Sequence, residues 1–301
     1  MKVVRSFSDI PTAIEPIALT IGVFDAVHLG HQAIIKDLHK ITRKSGTRTL
    51  LTFSNHPSET LRPDSPTPLL MTFDHRLYLL EKYGIDLIIA LPFTQEFAKQ
   101  SYSEFLTALH KKLPFSQLVL GEGATFGKNR EGDSKHLNAI QKELEFETHY
   151  IKKEHHHKET ISSGLIRTLV QEGNLKKIKK YLGRPYSLRH SFTPSQVKVE
   201  NESLFSWSFE EKNLCMLPSG MYGVDLEWEE ESLPGIAFLR SKTDVRGSTL
   251  FVSIYLEKEP PKSTSLNIFF VEYLHSEIDP SLLQMTPSSN IENFSAEPSL
   301  S

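Results

Sequence analysis

The segment that most limits what this chain can become is Gly22-Val23-Phe24-Asp25-Ala26-Val27-His28-Leu29-Gly30-His31. An apolar run, Ile17-Ala18-Leu19-Thr20-Ile21, precedes it and reads as a buried strand. From Gln32 to Lys44 the apolar residues Ile34, Ile35, Leu38 and Ile41 have the spacing of one helix face. A strand that turns into a helix through such a loop brings the helix's free amides and positive dipole end back onto the loop. Gly22 and Gly30 are expected to allow close backbone approach and unusual dihedrals. His28 and His31, at the helix start, can both donate hydrogen bonds to phosphate oxygens, and phosphoryl-type transfer depends on positioned donors more than on a covalent nucleophile. Two histidines near a helix start are ordinarily caps or surface residues. Here they share one loop with two glycines directly after a strand, which favours the functional reading. A zinc site would need a third and fourth ligand at suitable spacing, which the sequence lacks.

The strand-helix alternation continues. Thr49 to Phe53, Leu87 to Leu91 and Gln117 to Leu120 read as strands, while Thr72 to Leu80 and Tyr102 to Lys112 read as helices. Apolar strands alternating with helices predict an α/β, Rossmann-like domain with a parallel sheet covered on both faces. A ligand in such a sheet sits beyond the carboxyl ends of the strands. Ser162 to Glu172 and Leu175 to Leu182 read as two further helices, punctuated by Gly173 and Gly183. After Gly183-Arg184-Pro185-Tyr186 the pattern becomes short alternating runs, such as Leu250 to Leu256 and Leu266 to Tyr273, expected of a small antiparallel β-barrel. From about Ser276 the chain is rich in Ser, Pro and Glu, the composition of a disordered tail. The expected domains are therefore residues 1–186, 187–275 and a tail 276–301.

The 301 residues are enough for two cores. A net charge of -3 gives no basic excess for nucleic acid or an anionic membrane as partner. The single cysteine, Cys215, excludes an internal disulfide and suits a reducing compartment. The amino terminus lacks the apolar core of a signal peptide, and the apolar stretch Ile85 to Phe93 is interrupted by Asp86 and Pro92. It is far short of the roughly 20 residues a membrane helix needs. A cytoplasmic location is the expectation. His155-His156-His157 lies in a charged stretch and reads as a solvated loop.

H-x-G-H after a first strand is the mark of the nucleotidyltransferase superfamily, and the longer segment here resembles the bacterial bifunctional riboflavin kinase/FMN adenylyltransferase, also called FAD synthetase. The match to G-x-F-D-G-x-H-x-G-H fails only at Ala26. Further segments recur in the family's order. Thr52-Phe53-Ser54-Asn55-His56-Pro57 is similar to T-F-x-P-H-P, with Asn55 for proline. Leu91-Pro92-Phe93-Thr94-Gln95-Glu96-Phe97-Ala98 looks like L-P-F-x-x-x-F-A, and Gly121 to Asp133 like G-x-D-F-x-F-G-x-x-x-x-G-D. Ile161-Ser162-Ser163-Gly164-Leu165-Ile166-Arg167 is similar to I-S-S-T-x-I-R, and Leu182-Gly183-Arg184-Pro185-Tyr186 closes the domain. Gly123, Ala124 and Thr125 replace the family's D-F-x, and Gly164 replaces a threonine.

The resemblance implies transfer of AMP from ATP to FMN, giving FAD and pyrophosphate, with Mg2+ held through the ATP phosphates. His28 and His31 would stabilise the transition state. Gly22, Phe24, Asp25, Gly30, Ser162, Ser163 and Arg167 would bind ATP, and Phe53, His56, Pro57, Gly121, Phe126 and Gly127 the flavin. The glycine-rich Gly121–Gly127 loop is not read as a dinucleotide loop, since no helix pattern follows it. In the family the barrel phosphorylates riboflavin through a glycine-rich flap ending in G-x-P-T-A-N and a glutamate on a later strand. Arg189 to Ser219 contains no glycine, the nearest counterpart of P-T-A-N is Ser206-Trp207-Ser208-Phe209, and Val252 stands near the glutamate position. Kinase activity is therefore expected to be lost. A bifunctional enzyme and a non-catalytic flavin- or nucleotide-binding protein are the alternatives.

Overall fold

The computed structural model describes residues 1–11, 17–42, 46–156, 159–191, 198–201, 204–228, 231–244, 247–256 and 265–276. The expected tail beyond Ser276, and His157, lie outside them. The chain forms two compact units, residues 1–67 with 76–162, and residues 68–75 with 163–301.

The first unit holds a six-stranded parallel sheet. Its strands are β1 (Lys2–Val4), β2 (Ile17–Ile21), β3 (Thr47–Phe53), β4 (Leu87–Leu91), β5 (Gln117–Gly121) and β6 (Glu147–Ile151), in the order β1-β4-β3-β2-β5-β6. Every residue of β4 is buried, as are the first four of β2. Burial of consecutive residues means both faces are covered, which is why these strands read as unbroken apolar runs. The helices of this unit are α1 (Leu29–Thr42), α2 (Pro57–Leu61), α3 (Phe73–Lys82) from Arg76 onward, α4 (Gln95–Lys99), α5 (Tyr102–Lys112) and α6 (Ser134–Glu143), of which α1 and α6 pack directly on strands. Helix α1 turns Ile35 and Leu38 inward, the stripe its spacing predicts. At the start of the strands, Arg48 donates to Asp86 through Nε at 2.6 Å and Nη2 at 2.8 Å, fixing the first residues of β3 against those of β4. Beyond the sheet, β7 (His155–His156) and β8 (Glu159–Thr160) make a short hairpin, so part of the expected loop around the histidines is paired.

The helix α6 corrects the expectation that none follows the Gly121–Gly127 loop. It begins only at Ser134, after a 3-10 turn at Lys128–Arg130, with the Asp133 side chain accepting from the amides of Lys135 and His136. Its buried stripe consists of Leu137 and Ile140, too few to give a clear period. Because the helix starts so late, its amides are not those of the glycine loop, and a dinucleotide turn is still excluded.

In the second unit, α7 (Ser163–Gln171) and α8 (Leu175–Leu182) pack on each other, and α8 packs on two strands of a curled antiparallel sheet. That sheet contains β9 (Tyr186–Ser191), β10 (Lys198–Asn201), β11 (Leu204–Lys212), β12 (Gly220–Trp228), β13 (Glu231–Asp244), β14 (Gly247–Leu256) and β15 (Ser265–His275), in the order β10-β11-β14-β13-β12-β15-β9. Strand β9 ends the sheet on one side and β11 is next to last on the other, yet their side chains meet. The His190 ring stacks on Phe209 at 3.8 Å, and its Nδ1 lies 3.2 Å from Glu211 Oε1. The curl therefore brings the two ends of the sheet together as a half-barrel.

His75 is buried in this unit, with Nε2 3.4 Å from Ser187 Oγ. Burial first, then the charges of Arg184 and Arg189, push its imidazole down to about 3, so it folds neutral. An unfolded histidine titrates near 6.5. Between those values the unfolded chain holds a proton that the folded one does not, so stability falls as pH drops through the window. In urea unfolding from pH 7 to pH 4, His75→Asn is expected to lose stability less steeply than the native chain. Parallel pH profiles would show that His75 is not the source of acid sensitivity.

Candidate active site

The loops leaving β2, β3 and β4 are at the carboxyl ends of adjacent parallel strands. After β2 the chain makes a 3-10 turn, Asp25–Val27; Phe24, which precedes it, and Ala26 and Val27 within it take positive φ of 55°, 73° and 42°. This differs from the expectation for the glycines. Gly22 and Gly30 have no left-handed backbone; what they supply is room. A Cβ on Gly22 would stand 3.0 Å from the Phe24 ring, and one on Gly30 3.2 Å from the His28 ring.

His28 is only 6% exposed and sits at the amino end of α1. Its Nδ1 accepts from the His31 backbone amide at 3.3 Å, as an N-cap does. An accepting Nδ1 puts the ring proton on Nε2, which makes Nε2–H a donor. The His31 ring stacks on His28 at 3.7 Å and lies 4.7 Å from Phe24. Gln32 Nε2 donates to Val27 O at 2.9 Å and closes the turn. Two imidazoles and a helix amino end thus occupy one side of this loop. Asp25 beside them is buried.

The loop after β3 is built differently. His56 caps α2: its Nδ1 accepts from Ser58 N at 3.1 Å, while its own amide donates to Glu59 Oε1 at 2.8 Å. Pro57 occupies the first helical turn, where a missing N–H costs nothing. Asn55, which stands where the resemblance expects proline, accepts from Phe93 N at 2.8 Å and donates to Phe93 O at 3.2 Å. It ties the loop after β3 to the one after β4, a bond proline has no group to make.

Phe53 joins an aromatic chain. It lies 5.0 Å from Phe93 and 5.2 Å from Phe97; Phe97 is 5.2 Å from Phe105, and Phe105 is 6.4 Å from Phe126. Phe97 and Phe105 also line a largely apolar cavity of about 470 Å³, with Phe7, Leu91, Pro92 and Arg5. None of the residues expected at the flavin lines that cavity directly. Gly127 has φ of 78°, and a Cβ there would come within 2.5 Å of Tyr102 N; Gly132 presses on the same tyrosine. Gly121 ends β5, where a Cβ would only brush Ile34.

Ser162 is the last residue of the first unit, while Ser163 and Arg167 stand on α7 in the second. Arg167 Nε donates to Pro68 O at 2.7 Å within that unit.

One residue of the first unit was missed in the sequence. Arg76 on α3 is 6% exposed and donates to Val23 O through Nη1 at 2.6 Å and to Phe53 O through Nη2 at 2.5 Å. Burial lowers its guanidinium to about 10, against the raising effect of Asp25 and Glu59, so it stays charged at neutral pH. A signal was present: Arg76 shares helical spacing with the buried Leu79 and Leu80 and so falls on the inward face. Among the described residues no three His, Cys, Asp or Glu side chains are grouped to hold a metal ion. No helix among them is long and apolar enough to cross a membrane.

A family model described as FAD synthetase matches residues 10–165. A bifunctional riboflavin kinase/FMN adenylyltransferase of Buchnera aphidicola is 30% identical over 62% of this chain, which spans about three fifths, 61%, of that relative's length. A FAD synthetase of Listeria monocytogenes is 30% identical over 56% of this chain and 69% of its own. A solved structure described as a macrolide-efflux protein from Streptococcus pneumoniae matches with a TM-score of 0.75 over 97% of this chain and 96% of its own, at 20% identity. At that identity the likeness establishes the fold of both units.

Gly30→Ala tests the room argument. Alanine favours a helix over glycine by about 1 kcal/mol, so unfolding in urea is expected to change little. The added Cβ must push the His28 ring, and the His28 imidazole resonances are expected to move. A stable variant with unmoved resonances would contradict the stated contact.

Proposed function

The chain belongs to the FAD synthetase family, and on that premise we propose that it transfers the adenylyl group of ATP to FMN. A terminal phosphate oxygen of FMN attacks the α-phosphorus; the bond from that phosphorus to the bridging oxygen breaks, and pyrophosphate leaves with the electron pair. The observation that carries this reading is the turn at His28 and His31, with its stacked imidazoles at the amino end of α1.

ATP and FMN together carry about six negative charges, whose mutual repulsion opposes the approach of the two phosphates. In the proposal, Nε2–H of His28 and the His31 imidazole donate to oxygens on which charge builds, and the first turn of α1 adds its amides. Such donors act on the transition state because they are already oriented, here by the cap and the ring stack. Gly22 and Gly30 keep the phosphates' approach open, while Phe24 and Asp25 shape the turn from within. The same proposal gives Ser162, Ser163 and Arg167 a phosphate-holding role. A Mg2+ ion would be carried by the phosphate oxygens and would supply charge neutralisation on the leaving pyrophosphate. The isoalloxazine ring is proposed to lie along the aromatic chain from Phe53 to Phe126, with the His56-Pro57 turn, Gly121 and Gly127 bordering it. A reducing cytoplasmic setting and small-molecule partners alone complete the proposal.

For the second unit we propose a barrel without kinase chemistry. Val252 is buried, paired with Phe209 on one side and Leu239 on the other, surroundings that favour no carboxylate base. Ser206–Phe209 lies within the regular strand β11, paired along β14, in place of a glycine-rich flap.

Incubation with Mg-ATP and either flavin tests both parts. FAD is expected from FMN and not from riboflavin, and His31→Ala is expected to slow FAD formation by about 100-fold or more. FAD from riboflavin would overturn the loss of kinase function. Tight binding of FMN and ATP without any FAD would overturn adenylyl transfer in favour of a binding protein.

A further inference from the structure

Arg76 is a buried cation that the proposed chemistry does not use, and its two terminal nitrogens are committed to two different loops. Val23 O belongs to the loop that carries the histidines, and Phe53 O to the last residue of β3, from which the chain leads into the His56 cap. Val23 lies two residues past the end of β2, and Phe53 is the last residue of β3, so both acceptors are backbone carbonyls where the sheet gives way to loop. Val23 O also accepts from Thr52 Oγ1 at 3.1 Å, so β3 and α3 converge on one oxygen. The segment following Val23 contains three non-glycine residues with left-handed φ. Such conformations persist only where the surroundings over-determine them. Buried Asp25, inside that same segment, is the opposite charge that Arg76 feels most strongly.

We propose that Arg76 is a positioning residue for adenylyl transfer, spanning the His28–His31 loop and the Phe53–His56 loop with one guanidinium so that ATP-binding and flavin-binding groups keep a fixed separation. This rests on the adenylyltransferase reading for its functional part, and on geometry alone for its structural part. A guanidinium is suited to the task because its fork is planar and rigid, with two Nη donors aimed along different directions. A lysine keeps the charge opposite Asp25 and bonds one carbonyl at a time. A methionine of similar length loses both the charge and the donors.

The test compares Arg76→Lys and Arg76→Met with the native chain, each first shown to be folded by its thermal midpoint. In Arg76→Met, kcat for FAD formation is expected to fall about 100-fold, the effect of misplacing reacting groups by about 1 Å, with KM for ATP within about threefold. Arg76→Lys is expected to lose less than tenfold. Independently of turnover, the imidazole resonances of His28 and His31 in the unliganded protein are expected to move in Arg76→Met and to move less in Arg76→Lys. Folded Arg76→Met with native resonances overturns the clamp whether or not the chain makes FAD. Moved resonances in a chain whose native form makes no FAD uphold the clamp and overturn the functional reading. If Arg76→Met does not fold, Arg76→Lys alone carries the test: a partial loss of kcat with moved imidazole resonances upholds the clamp, since a lysine holds one carbonyl at a time, and fully native kcat and resonances overturn it.

Discussion

Three loops leave neighbouring parallel strands at one end of a sheet that is buried on both faces, and their backbone polar groups must be satisfied there with little water to help. That requirement shapes everything around the candidate site. Gly22 N donates to Leu51 O at 3.0 Å, and Ser54 N to Leu91 O at 2.9 Å, which extends the ladder one step past the strands. Beyond that step side chains take over. Thr52 and Arg76 hold Val23 O, Arg76 holds Phe53 O, and Asn55 holds both backbone groups of Phe93. A buried carbonyl left without a donor costs about 1–3 kcal/mol, so each of these contacts carries more weight than a surface hydrogen bond.

The same accounting explains the departures from the family pattern. Asn55 replaces a rigid residue by one that supplies a donor and an acceptor, so order in that loop comes from cross-linking to the next loop. Ala26 occupies a left-handed position, φ 73°, where the family has glycine. A left-handed backbone costs a non-glycine residue about 1–2 kcal/mol. Burial of its methyl group, worth roughly 0.8 kcal/mol, offsets much of that. The turn survives because Phe24 is buried against His31, Gln32 closes onto Val27 O, and Val23 O is held on two sides.

What was legible in the sequence follows from these forces. Strands β2 to β5 and helices α1, α3 and α5 announce themselves because burial on a regular face repeats at a fixed period. Strand β6 did not, since no residue of it is fully buried and Glu147-Thr148-His149-Tyr150-Ile151 forms no apolar run. The five-residue helices α2 and α4 are fixed by caps, His56 and Thr94, which act on single amides and leave no period. The His28–His31 turn was legible as a set of residue types. Its left-handed backbone was not, because glycines were credited with a freedom that Phe24, Ala26 and Val27 exercise. The Asn55 and Arg76 contacts join positions 38 and 53 or 23 residues apart, which spacing within one element cannot reveal.

In the proposed reaction, chemistry occurs at the α-phosphorus of ATP with FMN as acceptor. The direct measurement is to supply FMN with ATP labelled either at the α- or at the γ-phosphorus and to follow each label. Adenylyl transfer is expected to put the α-label in FAD and the γ-label in pyrophosphate, in equal amounts. A γ-label in any flavin, or ADP as the released product, would contradict it.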